Sequence, residues 1–220
     1  KAPPAARPAA AAPAPAPGAV APSTGAGPEI AANAWLLIDM STGTTLASRK
    51  PDERVEPASL TKLMTAYLIF NALKENRLAL DFRPPVSSAA YKAGGSRMFI
   101  DPRQPATIGE LLNGLIVQSG NDAAIVLAEA LAGTETQFAQ TMTAEAKRIG
   151  MKSTQFTNAS GLPDDKHYTT AHDLAILASR LITEHPTFYK LYSQREYTYN
   201  NIKQPNRNRL LFTDPSVDGM

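Results

Sequence analysis

From Leu60 the apolar positions run Leu60, Leu63, Met64, Tyr67 and Leu68. That is the i, i+3, i+4, i+7, i+8 spacing of a helix. Ala66, Ile69 and Phe70 fill its other faces, and a helix apolar all round is a buried one. Pro57 stands just ahead, where proline is favoured at a helix start. Upstream, the apolar run Ala34 to Met40, the turn Ser41-Thr-Gly43 and the β-prone Thr44 to Ser48 predict a hairpin, with Gly43 supplying the left-handed turn residue. The middle of the chain reads as helices. Thr107 and Glu110 make a capping box ahead of the stripe Ile108, Leu111, Leu112, Leu115 and Ile116. That pattern halts at Ser119-Gly120-Asn121, and Asn121 or Asp122 is placed to cap a next helix ending at Gly133. Thr134 and Gln137 open a further helix to Ile149, closed by Gly150. Thr170 and Asp173 open another, with Leu174, Leu177, Ala178, Leu181 and Ile182 on its buried side. After Pro186 the chain turns β-like, at Glu196 to Tyr199 and again at Leu210 to Phe212. Strands at both ends bracket helices in the middle.

Residues 1–28 follow none of these periods. They are almost entirely Ala, Pro and Gly, hold 8 of the 18 prolines and carry no acidic group. Proline at that density removes backbone donors, and no side chain there buries enough area to offset ordering. The segment reads as an extended, disordered linker or tail, leaving 29–220 as the folded part. The formal net charge is +2, all of it from Lys1 and Arg7, so 29–220 is balanced. A neutral domain gives no electrostatic case for nucleic acid. Basic and aromatic residues do mix between Arg195 and Arg209, and a solvated strand face accounts for them. There is no cysteine, which removes thiolate metal sites, disulfides and a cysteine nucleophile together. No run is long and apolar enough to span a membrane. With no initiator methionine and no signal-peptide core, an N-terminus upstream is expected.

Lys62 is the only charge between Glu56 and Lys74. It sits in the first turn, where the helix dipole disfavours a cation, and burial disfavours it again. Such a lysine has a depressed pKa, has a partner, or snorkels out. Ser59 lies one helical turn earlier on the same face. A neutral amine within reach of a hydroxyl is a general base beside a nucleophile. Ser-x-x-Lys arises by chance about 0.6 times in a chain of this composition, and so does the Ser-x-Asn of Ser119 to Asn121. Found together, one opening a buried helix and the other between two helices, they say more.

With these residues in place the chain resembles the low-molecular-mass D-alanyl-D-alanine carboxypeptidases, serine peptidases of the penicillin-binding group, which carry Ser-x-x-Lys, Ser-x-Asn and Lys-Thr-Gly. The likeness is carried by Pro57-Ala-Ser-Leu-Thr-Lys62 and Gln118-Ser-Gly-Asn-Asp122. It extends through Trp35-Leu-Leu-Ile-Asp39, Gly161-Leu-Pro163, Tyr168-Thr-Thr-Ala-His-Asp173 and Asn206-Arg-Asn208, over about residues 33–220. It implies an α/β (α+β) fold of the β-lactamase/transpeptidase type, an antiparallel sheet with a helical lobe. It implies that Ser59 attacks the penultimate D-Ala of a peptidoglycan stem peptide, that Lys62 takes its proton, and that Ser119 passes the proton to the leaving D-Ala. Asn121 holds Lys62 and the substrate amide, water cleaves the ester, and no metal or cofactor takes part. β-Lactam antibiotics are then acylating inhibitors. The location implied is the periplasm, on the inner membrane through a C-terminal segment.

Two features depart from the family. His172 stands where arginine is usual. The family's Val-Asp-Gly-apolar segment is present as Val217-Asp-Gly-Met220, but Lys-Thr-Gly does not occur in residues 1–220. With that strand and its neighbours outside the sequence, the expectation is an inactive, at best marginally folded chain. The faces of Ala34–Met40 and of the helix at Leu60–Phe70 would lose their cover. Other readings weaken in turn. A class A β-lactamase would show Ser-Asp-Asn where Gly120 stands, and a deacylating Glu-x-x-Leu-Asn. A nucleophile-elbow hydrolase would show Gly-x-Ser-x-Gly. His167, His172 and His185 have no nucleophile beside them in sequence and are read as structural or surface groups. An endopeptidase of the same family and a non-catalytic wall-binding or scaffolding module stay open.

Overall fold

The computed structural model describes residues 28–219. The expected linker therefore lies, but for Pro28, outside the described residues. The N-terminal hairpin is β1 (Trp35–Asp39) and β2 (Thr44–Arg49). They pair antiparallel from Trp35 against Arg49 to Asp39 against Thr44, with a register shift between Leu37 and Ile38. Gly43 turns the hairpin with φ +70°. A single 3-10 turn, Ala58–Leu60, leads into α1 (Thr61–Lys74).

The helical lobe surrounds α1. It comprises α2 (Ser88–Tyr91), α3 (Ile108–Val117), α4 (Asn121–Ala132), α5 (Glu135–Ile149) and α6 (Ala171–Glu184). Capping sets the boundaries as the sequence suggests. Thr107 and Glu110 form the full reciprocal box, Thr134 accepts from the Gln137 N–H, and Thr170 from that of Asp173. Gly150 ends α5 in the left-handed conformation at φ +103°. α1 touches α3, α4, α5 and α6. Met64, Ala66, Tyr67, Ile69 and Phe70 are wholly buried as a result. The expectation that this helix would lose its cover is thus overturned: its neighbours are other helices, all within the chain. On α6 the buried stripe is narrower than predicted. Leu177 and Leu181 are buried, while Leu174, Ala178 and Ile182 are half-buried.

After α6, α7 (Pro186–Tyr189) and a 3-10 turn at Lys190–Ser193 lead to β3 (Glu196–Tyr199) and β4 (Ile202–Pro205). These two pair antiparallel, from Glu196 against Pro205 to Tyr199 against Ile202. Asn200 and Asn201 make the two-residue turn with φ +47° and +60°, left-handed angles that asparagine tolerates. The second β-like stretch read from sequence is not a strand: Leu210–Thr213 is the short helix α8. Asn208 Oδ1 accepts from the Leu210 N–H at 3.1 Å and bends the chain there. The solvated strand face is seen in β3 and β4, where Lys203 and Glu196 pair in the open at 2.7 Å. Among the described residues the strands form two separate two-stranded sheets.

Candidate active site

Pro57 is buried and sets the backbone ahead of the 3-10 turn. Ala58 follows with φ +45°, a conformation that costs an L-residue energy and persists only where the surroundings fix it. They do so here. Gly161, at φ +85°, lies so close that a Cβ on it would sit 1.7 Å from the Ala58 carbonyl oxygen. Only glycine fits against this turn, and the turn leaves Ser59 exposed at the mouth of α1.

Lys62, one turn on, is only 5% exposed. Its Nζ lies 3.3 Å from Ser59 Oγ and donates to the Ser160 carbonyl at 2.7 Å. Of the alternatives open in the sequence, the structure selects burial with a partner. The amine's pKa is lowered to about 8, chiefly by burial and then by the positive field of Arg207, with Asp122 opposing the shift. The Ser160 carbonyl anchors Nζ without using Ser59. A neutral Lys62 can therefore turn its lone pair to the Ser59 hydroxyl.

The loop that supplies this carbonyl is built on Asn158. Its Oδ1 accepts from the N–H groups of Ser160 (3.2 Å), Gly161 (2.7 Å) and Leu162 (3.1 Å). α1 is stitched to the loop twice more. Thr65 Oγ1 donates to the Ala159 carbonyl at 2.7 Å, and His167 Nε2 meets Thr61 Oγ1 at 2.7 Å. His167 Nδ1 accepts from the Thr157 N–H, so Nε2 carries the proton and donates to Thr61. Burial holds the His167 pKa down, consistent with this neutral form. Sequence reasoning missed this layer. The available signal was three polar residues, Thr61, Lys62 and Thr65, in the first two turns of an otherwise apolar helix.

Ser119 follows α3 with φ +60° and shares with Ser59 and Lys62 a cavity of about 530 Å³, walled also by Ile116, Tyr192 and Arg207. Gly120 is required by space. A Cβ there would stand 2.9 Å from Asp122 Oδ1 and 3.2 Å from the Met98 nitrogen. Neither Asn121 nor Asp122 caps α4; Gly120 is the N-cap residue. The Asp122 carboxylate, 2% exposed, accepts instead from the N–H groups of Met98, Phe99, Ile100 and Ala123. Asn121 donates its amide to the Gly94 carbonyl at 2.8 Å, and its backbone N–H goes to the Ser96 carbonyl. It is not among the residues lining the cavity. The expected contact from Asn121 to Lys62 is absent from the hydrogen bonds among the described residues, where the Asn121 amide nitrogen is engaged by Gly94.

The other histidines have structural contacts. His185 is buried, with Nε2 2.9 Å from Asn71 Oδ1. His172, where the family has arginine, meets Asp52 at 3.0 Å. Among the described residues, no group of three or more acidic, histidine or cysteine side chains can hold a metal ion.

A family profile described as D-alanyl-D-alanine carboxypeptidase matches residues 21–220. The D-alanyl-D-alanine carboxypeptidase DacC of Escherichia coli is 40% identical over 200 residues, covering 88% of this chain and 50% of that protein. The chain thus spans about half the length of the curated relatives it matches. The solved penicillin binding protein 5 of Haemophilus influenzae superposes with a TM-score of 0.85 at 39% identity, over 89% of this chain and 58% of that one. Penicillin-Binding Protein D2 of Listeria monocytogenes, solved in an ampicillin-bound form, gives 0.78 at 29% identity, over 89% and 80%. The fold is therefore that of the penicillin-binding proteins, α and β as the sequence implied.

Proposed function

The chain belongs to the D-alanyl-D-alanine carboxypeptidase family, and on that premise we propose that its parent protein is a serine-type hydrolase of peptidoglycan stem peptides. The observation that carries the reading is the buried Lys62 amine, 3.3 Å from an exposed serine hydroxyl and anchored by a carbonyl. Ser59 Oγ attacks the carbonyl of the penultimate D-Ala while its proton passes to Lys62 Nζ. The tetrahedral intermediate collapses with cleavage of the amide bond, and Ser119 relays the proton to the departing D-Ala amine. Water then hydrolyses the Ser59 ester and regenerates the enzyme. The Ser59 N–H, at the start of the helix, is one donor to the oxyanion. Asn121 serves through the loop it holds, residues 94–96. β-Lactams enter as mimics of the same amide and acylate Ser59; a relative's ampicillin-bound structure supports the binding.

The reading places the protein in the periplasm, associated with the inner membrane by a segment other than those described here. Among the described residues no helix is long and apolar enough to cross a membrane.

The test is D-Ala release from a peptide ending in D-Ala-D-Ala, run beside fluorescent penicillin labelling of the full-length protein. Ser59→Ala should abolish both. Lys62→Arg should do the same, because a guanidinium does not give up its proton. Labelling that survives Ser59→Ala would overturn the assignment.

A further inference from the structure

Arg207 follows β4, in the Asn206-Arg-Asn208 segment. Its backbone is held on both sides. Asn206 is buried; its Nδ2 donates to the Gln194 carbonyl at 2.8 Å, and its Oδ1 accepts from the Asn208 N–H at 2.8 Å. The guanidinium lines the same cavity as Ser59, Lys62 and Ser119. Its Nη1 donates to Ser96 Oγ at 3.0 Å, and Ser96 Oγ donates in turn to the Gln118 carbonyl at 2.7 Å. Gln118 immediately precedes Ser119. A chain of two hydrogen bonds therefore runs from the strand-side wall of the cavity to the turn carrying the second serine.

From this geometry we propose that Arg207 is a positioning residue of the cavity. Tethered through Ser96 to Gln118, it fixes the strand-side wall against the Ser119 turn and presents one positive charge to Lys62. The inference rests on the reading that Ser59 and Lys62 are nucleophile and base. Arg207 need not touch the reacting atoms. A fixed cation disfavours a second one nearby, and Arg207 is the positive group whose field lowers the Lys62 pKa after burial itself. The groups facing this region from other elements do not replace it. Asp122 of α4 acts in the opposite sense. Glu135 of α5 is occupied by the Ala159 N–H, His167 by Thr61 and Thr157, and Glu184 of α6 by Tyr67 and Arg180. Arg207 is exposed, so its field is open to screening by salt. That gives a signature a packing role would lack.

The experiment is the pH profile of the penicillin acylation rate in the full-length protein, with the label mapped to Ser59 in every variant. In the parent the acidic limb should lie near pH 8, where Lys62 loses its proton. In Arg207→Gln that limb should move to higher pH, and the rate at neutral pH should fall by about three- to tenfold. Arg207→Lys keeps the charge and should keep the limb. Ser96→Ala cuts the tether but leaves the charge, and should lower the plateau without moving the limb. Raising salt to about 1 M shortens the screening length to about 3 Å. It should move the parent's limb the way Arg207→Gln does, and this arm needs no variant to fold. A limb unmoved both by Arg207→Gln and by salt would overturn the inference. Label that persists in Ser59→Ala would instead sink the underlying reading.

Discussion

In α1, Met64, Tyr67, Ile69 and Phe70 have no exposed surface, while in the β1–β2 hairpin Leu37 and Leu46 keep 47% and 55% of theirs. Both segments were expected to lose their cover; α1 is enclosed, and the hairpin is open only in part, since β1 packs on α6 with Trp35, Leu36 and Ile38 half-buried. The difference lies in what each packs against. α1 is enclosed by α3, α4, α5 and α6, all formed from local periodic sequence, with Phe188 stacked on Phe70 at 4.8 Å. β1 has β2 on one edge and, among the described residues, no strand on the other. Ser59 and Lys62 stand on the enclosed side. The pair is therefore fixed by the helical lobe and the 158–162 loop, and the N-terminal hairpin does not line its cavity.

The largest contrast comes from truncating one side chain in each region. Phe70→Ala should cost about 3–5 kcal/mol, as a wholly buried aromatic does. Leu46→Ala should stay within about 0.5 kcal/mol. Thermal or denaturant unfolding of the two variants checks this, and equal costs would break the comparison. Next is Gly161→Ala. Its Cβ meets the Ala58 carbonyl at 1.7 Å, so the loop or the nucleophile turn must shift. The expected cost is about 2–4 kcal/mol. Acylation of Ser59 should slow by about a hundredfold as Ser59 moves off Lys62. A variant with normal labelling would show that the Gly161 contact does not position the turn.

Lys62→Met sharpens the comparison in the other direction, with lost labelling but gained stability of about 1–2 kcal/mol at neutral pH. The sign follows from its titration. The folded-state pKa is about 8 against an ordinary 10.5. Between these values the unfolded chain binds more protons, so the parent's stability rises with pH there. The advantage of Lys62→Met should be full below pH 8 and fade towards 10.5. The smallest effect is at His167, whose pKa burial lowers. The parent's stability should fall as pH drops below the ordinary histidine value of 6.5, since the unfolded state takes up the proton first. His167→Gln should flatten that slope in a pH series of unfolding curves.

The lobe was legible because its signals are local. Thr107 with Glu110, and the positions Leu60, Leu63, Met64, Tyr67 and Leu68, announce their helices within one or two turns. Leu210 to Phe212 misled because three apolar residues carry no period, and the Asn208 side chain decides the backbone there. Ser59 and Lys62 could be read at i, i+3 on one helix, and Ser119 through its place between two helices. The carbonyl of Ser160 could not be, since it lies 98 residues from Lys62 and a backbone acceptor leaves no mark in sequence. Arg207 was visible only as part of Asn206-Arg-Asn208, because its link to Ser119 runs through Ser96, a serine with no motif around it.

The most direct measurement of the central claim, that burial against the lobe and the 158–162 loop, helped by the Arg207 charge, sets Lys62 up as a base beside Ser59, is the titration of the Lys62 side chain itself. Lysine labelled with 13C at Cε, with Lys62→Met to assign the signal, reports the amine by NMR. A midpoint near pH 8 is expected. A midpoint near the ordinary lysine value of 10.5 would contradict the account, because the amine beside Ser59 would then be a solvated cation and no base.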